Sequence, residues 1–257
     1  MVAGRRNLDA ELVRRSLAPD RAAARSLIAE HRVLVNGSMA DNSARQVAPG
    51  DAVVVEPPPY RFVGRGAEKL DHALDHFALD VNGLRALDAG ASTGGFTDCL
   101  LQRGAASVVA VDVGRGQLHE RLRADPRVIN RERCDIRAID IDEAGGPVDI
   151  VVGDLSFISL AQVISSLVAV CQPGSAMLLL IKPQFEATRS EADKGRGVIT
   201  DPAIHARVVD QTTAALVDAG CVVEGWVESP ITGAEGNKEF LVYAHSPITV
   251  SSEGDQR

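Results

Sequence analysis

The stretch LDAGASTGGFT, residues 87–97, sets an acid, three hydroxyls and three glycines between an apolar run and a helix-forming segment. Glycines at such a turn let backbone amides approach a ligand or take up positive φ. A tight strand-to-helix turn with no ligand would use them as well, so the surrounding acids carry the argument. The pattern D-x-G-x-x-x-G-G-F departs from the G-x-G-x-x-G of dinucleotide folds. Asp88 places a carboxylate where a pyrophosphate would sit, which favours a ligand bearing an ammonium group. About two dozen residues later the next strand ends in VVAVDV and offers Asp112, the spacing at which an acid on the second strand tip accepts from ribose hydroxyls. Asp135 in RCDIR follows the third apolar run, where a carboxylate can accept from an adenine amino group. A cationic amino acid, a ribose and an adenine together describe S-adenosylmethionine. The expected binding set is Asp88, Gly90, Ser92, Gly94, Gly95, Phe96, Asp112, Asp135 and Asp154.

Asp154 closes VDIVVGD and Lys182 follows the apolar run of SAMLLLIKP. If the two strands are parallel neighbours, both side chains emerge at the edge that holds the cofactor. An amine in a partly dry site can act as a general base. A carboxylate beside it would orient the amine and stabilise the ammonium formed on proton transfer; a purely structural ion pair is the alternative. Phe157, three residues past Asp154, can stack on an extruded base or fill a core. The polar, glycine-bearing segment 186–202 reads as a substrate-closing flap using Arg189, Lys194 or Arg196, or as a simple connection.

The elements that position these residues are legible as runs. LRALD, SVVAVDV, RVIN, VDIVVGD and SAMLLLIKP alternate with helix-like segments at 95–103, 159–171 and 202–219. Near-continuous apolar strands between helices predict an α/β, Rossmann-like sheet buried on both faces. The last two runs, 221–228 and 239–245, have no helix between them and predict an antiparallel edge hairpin. A helix is expected at 66–77. Upstream, helices at 8–17 and 20–31, the second capped by Asp20, precede two short extended runs, which makes a small α+β module. EPPPY at 56–60 reads as a stiff linker. The expected divisions are a module over 1–59, a linker over 60–66, a larger domain over 67–247 and a disordered tail over 248–257.

The 257-residue chain carries a net charge of −8, so it is no general polyanion binder. Residues 1–65 hold ten Arg and no Lys against seven Asp and Glu, a local balance of +3. A basic front on an acidic body suggests local recognition of an anionic partner, with Arg5, Arg6, Arg14, Arg15, Arg21, Arg25 and Arg32 as candidate phosphate contacts. Four dispersed cysteines form no CxxC pair, which argues against zinc and disulfides and for a reducing, cytoplasmic setting. The start lacks the apolar core of a secretory signal, and the apolar runs fall short of the ~20 residues that span a bilayer. A soluble protein without membrane or metal is expected.

The segments DAGASTGGFT, DLSFIS, KPQFE and GNKEF, in this order behind a small N-terminal module, resemble the TlyA family of ribosomal RNA 2'-O-methyltransferases, within the wider FtsJ-like group. The resemblance covers roughly residues 5–245. It implies a catalytic Lys-Asp-Lys-Glu tetrad at Lys69 (RGAEKL), Asp154, Lys182 and Glu239, with Lys182 as general base, and leaves Lys238 outside it. It also implies cytidine ribose in ribosomal RNA or ribosomal subunits as substrate. The N-terminal module is similar to the alpha-L RNA-binding domain. Expected RNA contacts are Arg5, Arg6, Arg21, Phe157 and Arg189. Two rival readings are a methyltransferase acting on a non-RNA substrate and a membrane-active protein, since relatives have been called haemolysins. The sequence offers the latter no basic amphipathic helix with an aromatic face.

Overall fold

The computed structural model describes residues 4–56 and 61–248. The chain divides into two compact units, Met1–Arg61 and Phe62–Arg257. In the first, β1 (Arg6–Asn7) leads into α1 (Leu8–Arg14) and α2 (Arg21–Ala29), followed by β2 (Val33–Val35), β3 (Ser38–Met39), β4 (Gln46–Val47) and β5 (Val53–Val55). β2 lies between β3 and β5, and β1 pairs with β4, all antiparallel. Leu8, Leu12, Ala24, Ile28, Val33, Val35 and Val47 form one small core. Asp20 caps α2 by accepting from the Ala23 amide at 2.8 Å. The first helix ends at Arg14, short of the expected 17, because Ser16 turns to φ +58° and the Leu17 amide returns to the Leu12 carbonyl.

Two acids of α1 are buried under arginines. Asp9 takes Arg21 and Arg25 at 2.8 and 3.0 Å, and Glu11 takes Arg14 and Arg15 at 2.5 and 2.8 Å. Hydrogen bonds from Arg14 and then Arg15 hold the Glu11 carboxyl down at about 2 against the effect of burial.

The second unit runs α3 (Ala67–His76), β6 (Arg85–Ala89), α4 (Gly95–Gln102), β7 (Ser107–Asp112), α5 (Glu120–Arg123), β8 (Val128–Glu132), α6 (Ile141–Ala144), β9 (Val148–Gly153), α7 (Ile164–Ala169), β10 (Cys171–Ile181), α8 (Pro183–Glu186), α9 (Arg189–Lys194), α10 (Pro202–Asp218), β11 (Val222–Glu228) and β12 (Phe240–His245). Its seven strands lie in the order β11-β12-β10-β9-β6-β7-β8, and only β12 is antiparallel to its neighbours. The expected edge hairpin is β11–β12.

Alternation along the strands feeds two cores. Ala86, Val108, Ile150, Leu178 and Leu241 face α3 and α4, whereas Leu87, Val109, Val151, Leu179 and Val242 face the α7 and α10 side. Each fully buried Leu or Val contributes about 1.5–3 kcal/mol, so both layers tie the sheet firmly. The chain steps outward from β6 to β8 in one direction and from β9 to β10 in the other. That reversal opens a crevice at the carboxyl ends of β6 and β9, where ligands of open α/β sheets bind.

Three expectations are revised. Of the linker expected at 60–66, Phe62 is 6% exposed in the core on the α3 side, and the Val63 amide donates to the Asp98 carboxylate at 2.8 Å. Of the stiff stretch expected at 56–60, residues 57–60 lie outside the described residues, as do residues 249–257 of the tail expected over 248–257. The segment 186–202 is not a bare loop, since it contains α9, started by a capping box of Thr188 and Glu191. The helix expected over 159–171 stops at Ala169, and β10 begins at Cys171 with an irregularity in its pairing to β9 before Ala176. Among the described residues no helix is long and apolar enough to cross a membrane, no cluster of His, Cys, Asp or Glu could hold a metal ion, and all four cysteines are free thiols.

Candidate active site

Two adjoining cavities occupy the crevice. The larger, about 450 Å³, extends past Asp112, Val113, Gln117, Cys134 and Asp135. The smaller, about 190 Å³, is lined by the glycine turn, Phe96, Asp154, Ser156 and Lys182. Gly90, Ser92, Asp154 and Ser156 line both.

The protein itself demands two of the glycines. Gly90 has φ +85°, and a Cβ there would lie 2.6 Å from the Asp154 carbonyl oxygen. Gly94 has φ +97°, and a Cβ would fall inside the Leu122 side chain. Gly90 thus brings the end of β6 against the end of β9, while Gly94 lets α5 close over the turn; Gly95 opens α4 against the start of α3. Phe96 is 3% exposed and belongs mainly to the core on the α3 side.

Asp112 is tied on both oxygens. Oδ2 accepts from the Ser92 amide at 2.8 Å and Oδ1 from the Gly114 amide at 2.6 Å. Ser92, itself at φ +49°, also donates to the Gln117 side chain at 3.2 Å. The Asp112 lone pairs beyond those two amides can receive hydroxyl donors in the larger cavity. Asp135 accepts from the Arg137 amide and pairs with the Arg137 guanidinium at 2.5 Å, which holds its carboxyl at about 2. Between the two acids, Val113, Cys134 and Ile136 form an apolar wall. An acid for ribose hydroxyls, an apolar slot and a second acid suit S-adenosylmethionine.

Asp88 departs from its expected place. It is fully buried behind the turn and lines neither cavity. One oxygen accepts from the Thr97 hydroxyl at 2.6 Å, and the other has no hydrogen-bond partner among the described residues. Burial, with lesser help from the Asp154 and Asp112 charges, pushes its carboxyl up to about 7. Its position makes it a clamp between β6 and α4, not a direct partner for an ammonium group.

Four ionic side chains meet beside the smaller cavity. Lys182 Nζ lies 2.5 Å from Asp154 Oδ1 and donates to Ser156 Oγ at 2.8 Å. Lys69 Nζ lies 3.8 Å from Asp154 Oδ2 and 2.5 Å from Glu239 Oε2. The result is a continuous chain Glu239–Lys69–Asp154–Lys182. Lys69, Lys182 and Glu239 are 7%, 8% and 2% exposed, so the chain is shielded except at Asp154. Parallel pairing of β9 with β10 brings Asp154 and Lys182 to one edge, as the sequence reading required. Lys69 enters from the first turn of α3. Glu239, just before β12, faces the α3 side, while its neighbour Lys238 pairs with Glu228.

The motifs flanking these residues are stitched together. Glu186 accepts from the Ser159 hydroxyl at 2.5 Å and from the Leu160 amide at 2.8 Å, joining α8 to the loop after Asp154. Phe157 projects from that loop at φ +65° and is 90% exposed, so it fills no core; its ring lies 5.1 Å from that of Phe185. Arg189 is almost wholly exposed, 3.9 Å from Asp193. In the first unit Arg5 and Arg6 are exposed and Arg21 rests on Asp9. Sequence reasoning missed Ser156, Gln117, Val113 and Cys134. Ser156 had a signal, a hydroxyl two residues past Asp154; the others sit in turns whose path only the fold fixes.

The sheet order, the single antiparallel strand and the carboxyl-edge cavity define a Rossmann-like α/β fold. An S-adenosylmethionine-dependent methyltransferase from Mesorhizobium loti shares this fold at 19% identity, with a TM-score of 0.51 over 68% of this chain and 96% of its own. Residues 62–246 match the model of FtsJ-like methyltransferases, and residues 6–53 match that of the S4 domain. The chain is 45% identical to the 16S/23S rRNA (cytidine-2'-O)-methyltransferase TlyA of Mycobacterium tuberculosis, over 94% of this chain and 90% of that protein. It is 35% identical to hemolysin A of Brachyspira hyodysenteriae, over 87% of this chain and 92% of that protein. A solved structure from Streptococcus thermophilus, described provisionally as a hemolysin, superposes with a TM-score of 0.72 at 35% identity, over 95% of this chain and 90% of its own. The chain belongs to the TlyA family of FtsJ-like methyltransferases.

Proposed function

We propose that the protein methylates the 2'-hydroxyl of a ribose, that of a cytidine, in ribosomal RNA, using S-adenosylmethionine. The observation that carries this reading is the ionic chain ending in Lys182 beside a cavity with carboxylates placed for a nucleoside. The S4 domain supports an RNA substrate, and the name of the Mycobacterium tuberculosis relative supports cytidine in ribosomal RNA.

Asp112 would receive the ribose hydroxyls of the cofactor, Asp135 and the apolar wall its base, and the Gly90–Gly95 turn its amino-acid end. When bound, S-adenosylmethionine supplies a methyl group already activated on a sulfonium. The substrate 2'-hydroxyl is a weak nucleophile and must lose its proton as it attacks. Lys182, neutral at that moment, accepts the proton at Nζ. Asp154 holds that amine in place and stabilises the ammonium that results. Lys69 occupies the other Asp154 oxygen, and Glu239 fixes Lys69, so neither acid is left to draw Lys182 out of line. Most of the rate gain comes from proximity and orientation, worth up to about 7–11 kcal/mol for well-aligned groups. Arg5, Arg6, Arg21, Phe157 and Arg189 would contact RNA.

The test is transfer of labelled methyl groups from S-adenosylmethionine to purified ribosomal subunits, with the modified position mapped as a 2'-O-methyl nucleotide. Transfer to protein or to small molecules in place of RNA would overturn the reading.

A further inference from the structure

A third cavity, about 320 Å³, lies between α10 and the β11–β12 hairpin, on the sheet face opposite to α3. Trp226, Phe240 and Val209 form its apolar walls, and Asp210, Glu228 and Lys238 carry its charges. Trp226 stands edge-on to Phe240, with ring centres 5.5 Å apart, and is 51% exposed. A half-exposed indole on an edge strand adds little to the core, and its open π face is available to a flat ligand. His205, beneath, is committed to the Ile199 carbonyl at 2.9 Å.

The position of the cavity is the informative part. Successive residues of a strand face opposite sides. Glu239 turns to Lys69, while Lys238 and Phe240 turn to this cavity. Glu239, at one end of the ionic chain, is therefore the immediate neighbour of two residues of this cavity, on the opposite face of the same sheet edge. Two carboxylates against one ammonium repel a phosphate. They suit a nucleobase, whose amino and ring N–H groups donate to carboxylates while a ring carbonyl accepts from Lys238. Unpaired bases in RNA are recognised in this way, by aromatic stacking and by hydrogen bonds to their edges.

We propose that this cavity receives an unpaired nucleobase of the RNA substrate, from a nucleotide close to the one that is methylated. The proposal rests on the ribosomal RNA reading above, and it makes Trp226 a substrate-binding residue outside the ionic chain.

Trp226 is the single tryptophan of the chain, so its emission reports on this cavity alone. The full-length protein is titrated with a single-stranded ribo-oligonucleotide, with binding followed separately through the anisotropy of a label on the RNA. Saturable quenching of Trp226 that tracks binding supports the proposal. Emission that stays unchanged while the RNA binds overturns it, as does quenching by an apolar peptide but not by RNA. Stacking is worth about 1–3 kcal/mol per base, so Trp226→Ala should raise KM for ribosomal subunits about tenfold with kcat little changed, and Trp226→Phe should recover most of the loss. Unchanged cofactor affinity in both variants shows that they are folded. If wild-type protein methylates ribosomal RNA and Trp226→Ala has an unaltered KM, the cavity assignment fails alone. If wild-type protein transfers nothing to ribosomal RNA, the functional reading fails, and the emission titration still decides whether the cavity takes a base.

Discussion

At the scale of single residues, the proposed mechanism gives holding the donor and activating the acceptor to different side chains. Lys182→Ala should abolish methyl transfer yet leave S-adenosylmethionine affinity nearly unchanged by calorimetry, because its partners are Asp154 and Ser156 and not Asp112 or Asp135. Asp112→Ala should do the reverse. Losing a charged acceptor costs about 1.5–3 kcal/mol, and cofactor affinity should fall at least tenfold. It should also loosen the turn, since the same carboxylate accepts from the Ser92 and Gly114 amides. Glu239→Ala strips Lys69 of its nearest partner inside a buried pair. Stability should drop by about 3 kcal/mol in denaturant melts, alongside lost activity. If the variant melted like the wild type, the ionic chain would not be the buried unit described above.

At the scale of elements, the turn between β6 and α4 is shaped more by the protein than by any ligand. Gly94→Ala would force φ +97° on a residue with a Cβ and drive that atom into Leu122. About 2–4 kcal/mol of destabilisation should follow from backbone strain and overpacking together. Asp88, the clamp behind the turn, binds its proton more tightly in the fold than its ordinary value of 3.8 would allow. Stability from this group is complete below pH about 4 and is lost as pH rises through 7. Melting of the cofactor-free protein should therefore fall as pH rises from about 4 to about 7, and Asp88→Asn should flatten the fall. Glu11, held at about 2, acts in the opposite window: its contribution is full above pH 4.5 and lost as pH drops toward 2.

The sheet was legible because period-2 and unbroken apolar runs report burial on one or both faces. The hairpin followed from the missing helix between 228 and 239. The placement of Asp88 was not legible. An acid at a strand end reads alike whether it points into the cavity or under the turn, and only packing against Thr97 decides. The apolar wall of Val113, Cys134 and Ile136 was hidden for a related reason, since three scattered residues share one surface only after β7 and β8 are aligned. Conversely, the ionic chain was read through family motifs, since nothing local in RGAEKL announces that Lys69 will meet Glu239.

At the scale of the whole molecule, one unit carries the cavities and the other the arginines set on buried acids. Removing residues 1–55 should leave cofactor affinity intact and sharply weaken methylation of ribosomal subunits; full activity without them would contradict that division. Salt should weaken the intact protein's affinity for subunits, as expected when guanidinium groups displace counterions from phosphates. The most direct test of the central claim is a paired mapping of 2'-O-methyl nucleotides in ribosomal RNA treated with the wild-type protein and with Lys182→Ala, both saturated with S-adenosylmethionine. A new methylated ribose with the first and none with the second is the predicted result. An equal yield from the variant would contradict the account, because the proton would then be leaving by a route that does not pass through this amine.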